Sequence, residues 1–310
     1  MLRPLQPLDL LRAGLTGGVP GPDRAWPLTR VGAPGAPGRA VQALRALTAS
    51  YGPGVSWVWQ EGPALRAVVT ASPRSGPLSW EVTHLLVDRP VAHAAELAAR
   101  VSQEALAHGA QRVFLRLLRN DPMAELAPMA GFFPHLRETL YACHSPTGAE
   151  GRLPPGAILR RRREADLHDI YRLYQATAPV EVRACGGMTF QQWSHSLERL
   201  PGRPRELVYE RDGVLRGWLR LSRRSGRGYV ELLLHPEEVG HLALLVGAAE
   251  EALAGVSVIL CLVPHYRGDL EHLLPRRGYG AVEEYVTLVK SMMVRKGAEE
   301  RRAAVTQPSV

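Results

Sequence analysis

Apolar residues recur along the chain in two ordered sets of short runs. Residues 82–87 and 229–234 are largely apolar at consecutive positions, and so are the later runs "RVFLRLL" and "SVILCLV". Continuous runs of this length predict strands that are buried on both faces, at the centre of a sheet. Between the two runs of each set, residues 91–108 and 240–254 place apolar residues at helical spacing. The pattern therefore predicts strand, helix, strand in both halves of the chain.

The two sets are copies of one unit. The tetrapeptide "EALA" occurs at residues 104–107 and again 147 positions later, at residues 251–254. At the same offset "LLV" at residues 85–87 falls on "LLL" at residues 232–234, and Gly131 falls on Gly278. Upstream the offset becomes 150 and the order of the matches is unchanged. Internal duplication is the economical interpretation.

Each copy predicts the same order of elements. A short strand and a helical, loop-rich region come first, followed by three strands joined by tight turns ("QEGP" or "ERDG", then "RSG"). After the central helix and a buried strand, a short helix ends at Gly131 or Gly278, and a final strand closes each copy. The predicted fold class is α/β with a mixed sheet in two tandem domains. The predicted boundaries are 1–144, a linker at 145–157, 158–295 and a flexible tail at 296–310.

Length and composition agree with two globular domains. The chain has 310 residues, of which 45% are hydrophobic and 22% charged. No apolar stretch is long enough to span a membrane, and the N-terminus does not resemble a signal peptide. Cys143, Cys185 and Cys261 are odd in number and far apart, so they fit neither a disulfide framework nor a zinc site. We expect a cytoplasmic protein without a metal.

The formal net charge of +8 raises the question of an anionic partner. The densest basic cluster is "RRRR" at residues 160–163, which is either a solvated strand end or a nucleic-acid patch. No aromatic-interleaved RNA motif or zinc finger accompanies it, so the sequence favours the solvated strand end. Binding of nucleic acid is not expected.

The ends of the two copies resemble the GNAT N-acetyltransferase superfamily. The family often has Asn-x-x-Ala-x-x-Leu-Tyr-x-x-x-Gly-Phe after its fifth strand, and the two copies have "NDPMAELAPMAGF" and "RGDLEHLLPRRGY" at this place. The segment "YVELLLHPE" at residues 229–237 likewise resembles a GNAT fourth strand and the turn that follows it. The resemblance implies two tandem GNAT-like acyl-CoA N-acyltransferase domains.

That resemblance implies acyl transfer from acetyl-CoA, or another acyl-CoA, to an amine of a small molecule or peptide. The CoA pyrophosphate would lie on a glycine-containing loop at a helix N-terminus, and the pantetheine arm would lie along the fourth strand. The positions expected to contact CoA are Leu232, Leu233, Leu234, Gly240, His241, Tyr266 and Asn120. The oligomeric state is left open.

Both copies depart from the family at the pyrophosphate loop. The first copy has "DRPVAHAAEL", without glycine, and the second has "HPEEVGHLALL", which retains only Gly240. Glu237 and Glu238 stand where phosphates would approach. The tyrosine that often protonates the leaving thiolate is replaced by Ala127 and Leu274. These departures favour an alternative, a non-catalytic pair of GNAT-like domains that binds a ligand or a partner.

The catalytic candidates come from the fourth strand of each copy. Glu231 stands where several GNAT enzymes have their general base, and its counterpart in the first copy is His84. Each also has an ordinary interpretation, Glu231 as a solvated strand residue and His84 as a hydrogen-bonded histidine. The second copy retains Glu231 and Gly240, so we expect it to be the active one.

The acceptor candidates lie before and within the motif "MTFQQW". Thr189 and Gln192 have capping-box spacing, so Thr189 is predicted to be a helix N-cap. In a GNAT fold this helix borders the acceptor pocket, which makes Arg183 and Trp193 possible substrate contacts. Core packing is the alternative for Trp193. Asn120 has a turn as its alternative, because asparagine favours such positions.

Overall fold

A computed structural model describes residues 1–6, 8–9, 21–33, 54–62, 64–87, 92–148 and 151–291. In these residues a single twelve-stranded sheet runs through both halves, in the order β1-β2-β3-β4-β5-β12-β6-β11-β10-β9-β8-β7. The strands are β1 (Leu2–Pro4), β2 (Val55–Glu61), β3 (Ala64–Pro73), β4 (Ser79–Val87), β5 (Arg112–Leu118), β6 (Phe133–Cys143), β7 (Ala157–Arg161), β8 (Arg205–Arg211), β9 (Val214–Arg224), β10 (Arg227–Leu234), β11 (Val258–Pro264) and β12 (Gly280–Ser291).

The helices lie between the strands at the predicted places. They are α1 (Ala92–Ala107), α2 (Met123–Leu126), α3 (Leu167–Thr177), α4 (Val180–Gly186), α5 (Phe190–Ser196), α6 (Leu242–Ala252) and α7 (Gly268–Arg276). Short 3₁₀ turns cover Ala127–Ala130, Glu164–Asp166 and Pro236–His241. The mixed α/β fold class predicted from the sequence is confirmed.

The turn chemistry places these elements as expected. In the β8–β9 hairpin Asp212 and Gly213 both have positive φ, 50° and 78°, as a two-residue type I′ turn requires. Gly131 has a φ of 82° where it ends the 3₁₀ turn after α2, so the predicted glycine cap is confirmed. The Thr189 side chain accepts a hydrogen bond from the backbone N–H of Gln192, which confirms the predicted N-cap of α5.

The two parallel strand pairs diverge. β4 and β5 are paired only from Ser79 to Glu81, although β4 continues to Val87. β10 and β11 are paired only from Arg227 to Val230, although β10 continues to Leu234. Each half therefore has a wedge-shaped gap, which we call the first cleft (between β4 and β5) and the second cleft (between β10 and β11).

The final strands are exchanged between the halves, so the prediction that each closes its own copy is wrong. β12, from the second half, pairs with β5 of the first half, and β6, from the first half, pairs with β11 of the second. β6 and β12 also pair with each other in the middle of the sheet. Each half thus supplies the strand that pairs with one of the two strands forming the other half's cleft.

Apolar layers cover both faces of the sheet. On one face α1 packs against the strands of the first half, and α6 and α7 pack against those of the second. An aromatic cluster fills the space beneath α3 and α5 and includes Tyr171, Trp193 and Trp218. Within the described ranges, no helix is long and apolar enough to cross a membrane. The predicted tail at 296–310 and residues 149–150 of the predicted linker lie outside the described residues.

Candidate active site

A cavity of about 190 Å³ opens beside the second cleft. Its walls come from both halves, because β5 and β6 contribute residues alongside β10, β11 and the helices α3 to α5. Most of the lining is apolar or aromatic. Its charged, histidine and hydroxyl-bearing side chains are Arg74, Arg116, His135, Glu138, Tyr174, Ser196, Glu198, Tyr229, Glu231, Tyr266, Arg267 and Thr287. The exchanged strand β6 is therefore part of this site.

Glu231 lies at the point where β10 leaves β11. The Nη1 atom of Arg220, on the neighbouring strand β9, lies 2.6 Å from Oε2 of Glu231. The Glu231 side chain is 39% exposed, whereas that of Arg220 is 7% exposed. Among the described residues, Oε1 of Glu231 makes no hydrogen bond. One oxygen is thus fixed by a buried arginine and the other is available to a ligand.

The other carboxylates of the cavity are already neutralised. Arg116 binds both oxygens of Glu138 (2.8 and 3.1 Å) and both oxygens of Glu198 (2.8 and 2.6 Å). Burial alone would raise the pKa of Glu198, but the charges of Arg116 and Arg74 lower it to about 2. This network joins β5, β6 and the segment after α5, and it leaves Glu231 as the accessible acid.

Two further side chains of the cavity keep fixed protonation states at neutral pH. Burial lowers the pKa of His135 to about 4, and the positive charge of Arg74 adds to this effect, so the imidazole is neutral. Burial raises the pKa of Tyr266 to about 12, with a further contribution from the charge of Glu231, so the phenol keeps its proton. Tyr266 was expected near the cleft; His135 was not identified from the sequence.

An arginine bridges the second cleft. Nη1 of Arg267, just after β11, donates a 2.8 Å hydrogen bond to the backbone carbonyl of Leu232 on β10. Its other nitrogens bind both oxygens of Asp269, each at 2.8 Å. Leu232 and Leu233 line the cavity, whereas Leu234 packs in the core beneath α6. The bridge occupies one backbone acceptor that divergence of the strands would otherwise leave free.

The turn before α6 is occupied by a carboxylate of the chain itself. Glu238 is buried, and its carboxylate lies 2.8 Å from Nδ1 of His241, 3.2 Å from the hydroxyl of Tyr209 and 3.1 Å from Nη1 of Arg211. Burial would raise the pKa of Glu238, but the hydrogen bonds from His241 and Arg211 hold it below its usual value. His241 is therefore paired with an acid, and Gly240 lies beside it in an open part of the turn.

The first cleft is filled by the chain's own residues. The backbone N–H of Arg24 donates to the carbonyl of Leu85 on β4 (3.0 Å), and the N–H of Trp26 donates to the carbonyl of Arg116 on β5 (2.9 Å). This segment lies between the strands as an additional strand would. Nδ1 of His84 lies 2.6 Å from the buried carboxylate of Asp23. His84 is therefore packed against this segment and is separate from the residues that line the cavity.

Comparison with solved structures shows which known architecture the chain shares. A GCN5-related N-acetyltransferase from Sphaerobacter thermophilus aligns with 94% of this chain and 95% of its own, with a TM-score of 0.56 and 17% identity. A tandem GNAT protein from the clavulanic acid biosynthesis pathway aligns over 94% and 98% of the two chains, with a TM-score of 0.54 and 15% identity. The chain has the tandem GNAT fold. No protein-family model and no curated protein matches the sequence.

The tandem GNAT fold brings only some of the remaining candidates to the cavity. Trp193 lines it and also packs in the aromatic cluster, so both of its predicted roles are compatible with its position. Arg183 lies on α4 between two residues that line the cavity, Val182 and Gly186, but does not line it. Asn120 is exposed and lies in a separate surface depression beside β12.

Two of the four arginines in the basic cluster at residues 160–163 are paired with carboxylates of the fold. Arg160 binds Asp166 and Glu210, at 2.8 and 2.9 Å, and Arg162 lies 2.6 Å from Glu206. These pairs agree with a solvated strand end. In the described parts of the chain, no group of three or more histidine, cysteine, aspartate or glutamate residues is arranged to hold a metal ion.

Proposed function

We propose that the protein transfers an acyl group from a thioester to the amine of a small molecule, in the second cleft. The observation that carries this proposal is Glu231, an accessible carboxylate in the cavity at the divergence of β10 and β11. Its position suits a general base, because an amine in the cavity would lie beside a thioester in the cleft.

In the proposed reaction the amine nitrogen forms a bond to the acyl carbon as the carbon–sulfur bond breaks. Glu231 accepts the proton that the nitrogen loses, and the departing thiolate takes up a proton from water. Arg220 holds one oxygen of Glu231 in place, so the carboxylate needs little reorganisation when the amine binds. Tyr266, which keeps its proton at neutral pH, lines the same cavity.

The walls of the cavity support a small acceptor with an apolar body. Tyr174, Trp193 and Trp218 line it, and its volume of about 190 Å³ is below the range of drug-sized sites. Arg116 binds both Glu138 and Glu198, and Arg74 lies 3.3 Å from Glu198, so two arginines face these two carboxylates in the cavity. We therefore expect an amine attached to an aliphatic or aromatic group.

We place the proposed acyl-transfer site in the second half because the two clefts are occupied differently. The segment around Arg24 and Trp26 occupies the first cleft, and His84 is paired with Asp23 there. The second cleft is bridged at one point by Arg267 and otherwise borders the cavity.

Glu231→Gln tests the proposal. We expect kcat for transfer from acetyl-CoA to a panel of small aliphatic and aromatic amines to fall by about 10²–10⁴-fold, because glutamine cannot accept the proton. The control is Glu61→Gln, an equal change of charge at an exposed position of β2. Unchanged turnover in a folded Glu231→Gln protein would remove Glu231 as the base.

The second candidate function is a ligand-binding domain pair without catalysis, and the Arg267 bridge is the observation that favours it. In that case amines of the same panel would raise the melting temperature, while no thioester is consumed by the wild-type protein. Release of free thiol from acetyl-CoA, dependent on added amine, would rule this candidate out.

A further inference from the structure

We propose that the acyl donor is recognised through its thioester-bearing arm alone, so that a pantetheine thioester binds as well as acyl-CoA. This inference rests on the proposed function and specifies the donor class of the same cleft. It follows from the turn Pro236–His241, which precedes α6 and stands where a diphosphate would meet the helix N-terminus.

An anion is already built into this turn. The buried carboxylate of Glu238 accepts hydrogen bonds from Tyr209, Arg211 and His241, as described above. A diphosphate placed here would lie close to this carboxylate and would have to compete with it for Arg211 and His241. The positive end of the α6 dipole is thus partly offset by the protein itself.

The backbone donors that open the turn are also in use. The N–H of Glu238 donates to the carbonyl of His235 at 2.8 Å, and the N–H of Glu237 donates to the imidazole Nδ1 of His235 at 3.4 Å. A phosphate cradle needs such N–H groups to be free and convergent. In this turn His235 satisfies them from within the chain.

The arginines around the turn are each paired with a carboxylate. Arg211 binds Glu238 at 3.1 Å and Arg216 binds Glu237 at 3.2 Å. Arg267 lies 2.8 Å from Asp269. Each of these arginines would have to give up an existing ion pair to bind a phosphate, so a diphosphate gains little net free energy from them.

The arm itself has a partner in the second cleft. The carbonyl of Leu232 faces the divergence of β10 and β11, where Arg267 now donates to it. An amide N–H of a pantetheine arm would replace this charged donor with a neutral one, while Arg267 keeps its bonds to Asp269. The pantetheine arm therefore has a hydrogen-bond acceptor in the cleft, whereas the nucleotide has no free partner at the turn.

Calorimetry on the wild-type protein tests the inference with acetyl-CoA and S-acetyl-pantetheine as the two ligands. We expect dissociation constants that agree within about threefold, and no weakening of acetyl-CoA between low and high salt. If acetyl-CoA binds at least about tenfold more tightly than S-acetyl-pantetheine, the inference is overturned and the proposed function stands. A tenfold gain in affinity is about what one charge-assisted hydrogen bond to the nucleotide would contribute. If neither thioester binds at millimolar concentration, the proposed function fails and the inference with it.

The Glu238→Gln variant gives a second readout, with Glu61→Gln as the control of equal charge. Loss of the carboxylate frees Arg211, whose side chain is 37% exposed, to meet a diphosphate. We expect acetyl-CoA to bind about tenfold more tightly and S-acetyl-pantetheine to bind as before. Weaker binding of acetyl-CoA alone would mean that Glu238 helps to hold the nucleotide, and would overturn the inference.

Discussion

Glu231 and His84 occupy equivalent positions of the two copies but have different partners. Glu231 is held by Arg220, and the register of the β9–β10 hairpin places these two residues opposite each other. This pairing could have been predicted, because the "RSG" turn fixes the register and Arg220 follows from counting back along β9. The partner of His84, Asp23, is 61 residues away in a segment without periodic pattern, so no local signal identifies it.

We predict that the charged carboxylate of Asp23 stabilises the folded first half. Burial alone would raise the pKa of Asp23, but the hydrogen bond from His84 and the charge of Arg30 lower it from 3.8 to about 2. Because the folded pKa lies below the unfolded one, the stabilisation is present above about pH 4 and is lost as the pH falls towards 2.

We therefore expect Asp23→Asn to lower the free energy of unfolding by about 2 kcal/mol at pH 7, and by progressively less as the pH approaches 2. Urea unfolding at a series of pH values measures this difference. Asp169→Asn is the control, since the Asp169–Arg172 pair is exposed and should change the stability by less than about 0.5 kcal/mol. A difference between wild type and Asp23→Asn that does not depend on pH would contradict the prediction.

Among the elements, the two clefts show how one strand arrangement leads to different outcomes. The continuous apolar runs correctly predicted β4 and β10 as buried central strands. They did not predict what fills the gap beside each strand. A hydrophobic pattern indicates that a strand is buried, but it does not identify the residues that bury it. In the first cleft that group is backbone from residues 23–26, and in the second it is the single side chain of Arg267.

We predict that the segment in the first cleft behaves as part of the sheet in hydrogen exchange. The amides of Arg24 and Trp26 should exchange about as slowly as those of β4, because both are bonded to strand carbonyls. Mass spectrometry of peptides that cover residues 23–26 measures this protection, with the exposed turn at Gly62 as the fast reference. Exchange at the rate of that turn would show that the first cleft opens readily.

Over the whole molecule, the halves share one sheet and one buried charge network. We propose that 1–144 and 158–295, joined by 145–157, mark the two copies of a duplicated unit. The duplication was visible in the sequence because it leaves matching residues at a constant offset. The exchange of β6 and β12 was not visible, because the two strands have similar lengths, 11 and 12 residues, and no local sequence signal identifies the strand that each will pair with.

The exchange predicts that neither half folds alone. Without β12 the first half would expose β5, whose residues are nearly all buried, as a free edge. Separating the halves would also remove Glu198, one of the two carboxylates that Arg116 binds. We expect residues 1–144 and 145–310 to aggregate when each is produced alone and to form a 1:1 complex when produced together, as measured by size-exclusion chromatography with light scattering. A soluble, folded monomer of residues 1–144 would contradict this.

The exchanged strands also bear on how such a chain can evolve. Because β6 pairs with β11 and lines the cavity, selection for a working second site preserves the first half even if its own cleft has no ligand. Substitutions inside the first cleft are then tolerated only if they leave the first half folded and β6 in its place. In a fused pair of this kind one copy can become the structural support of the other. Deletion of either copy would then prevent the remaining one from folding.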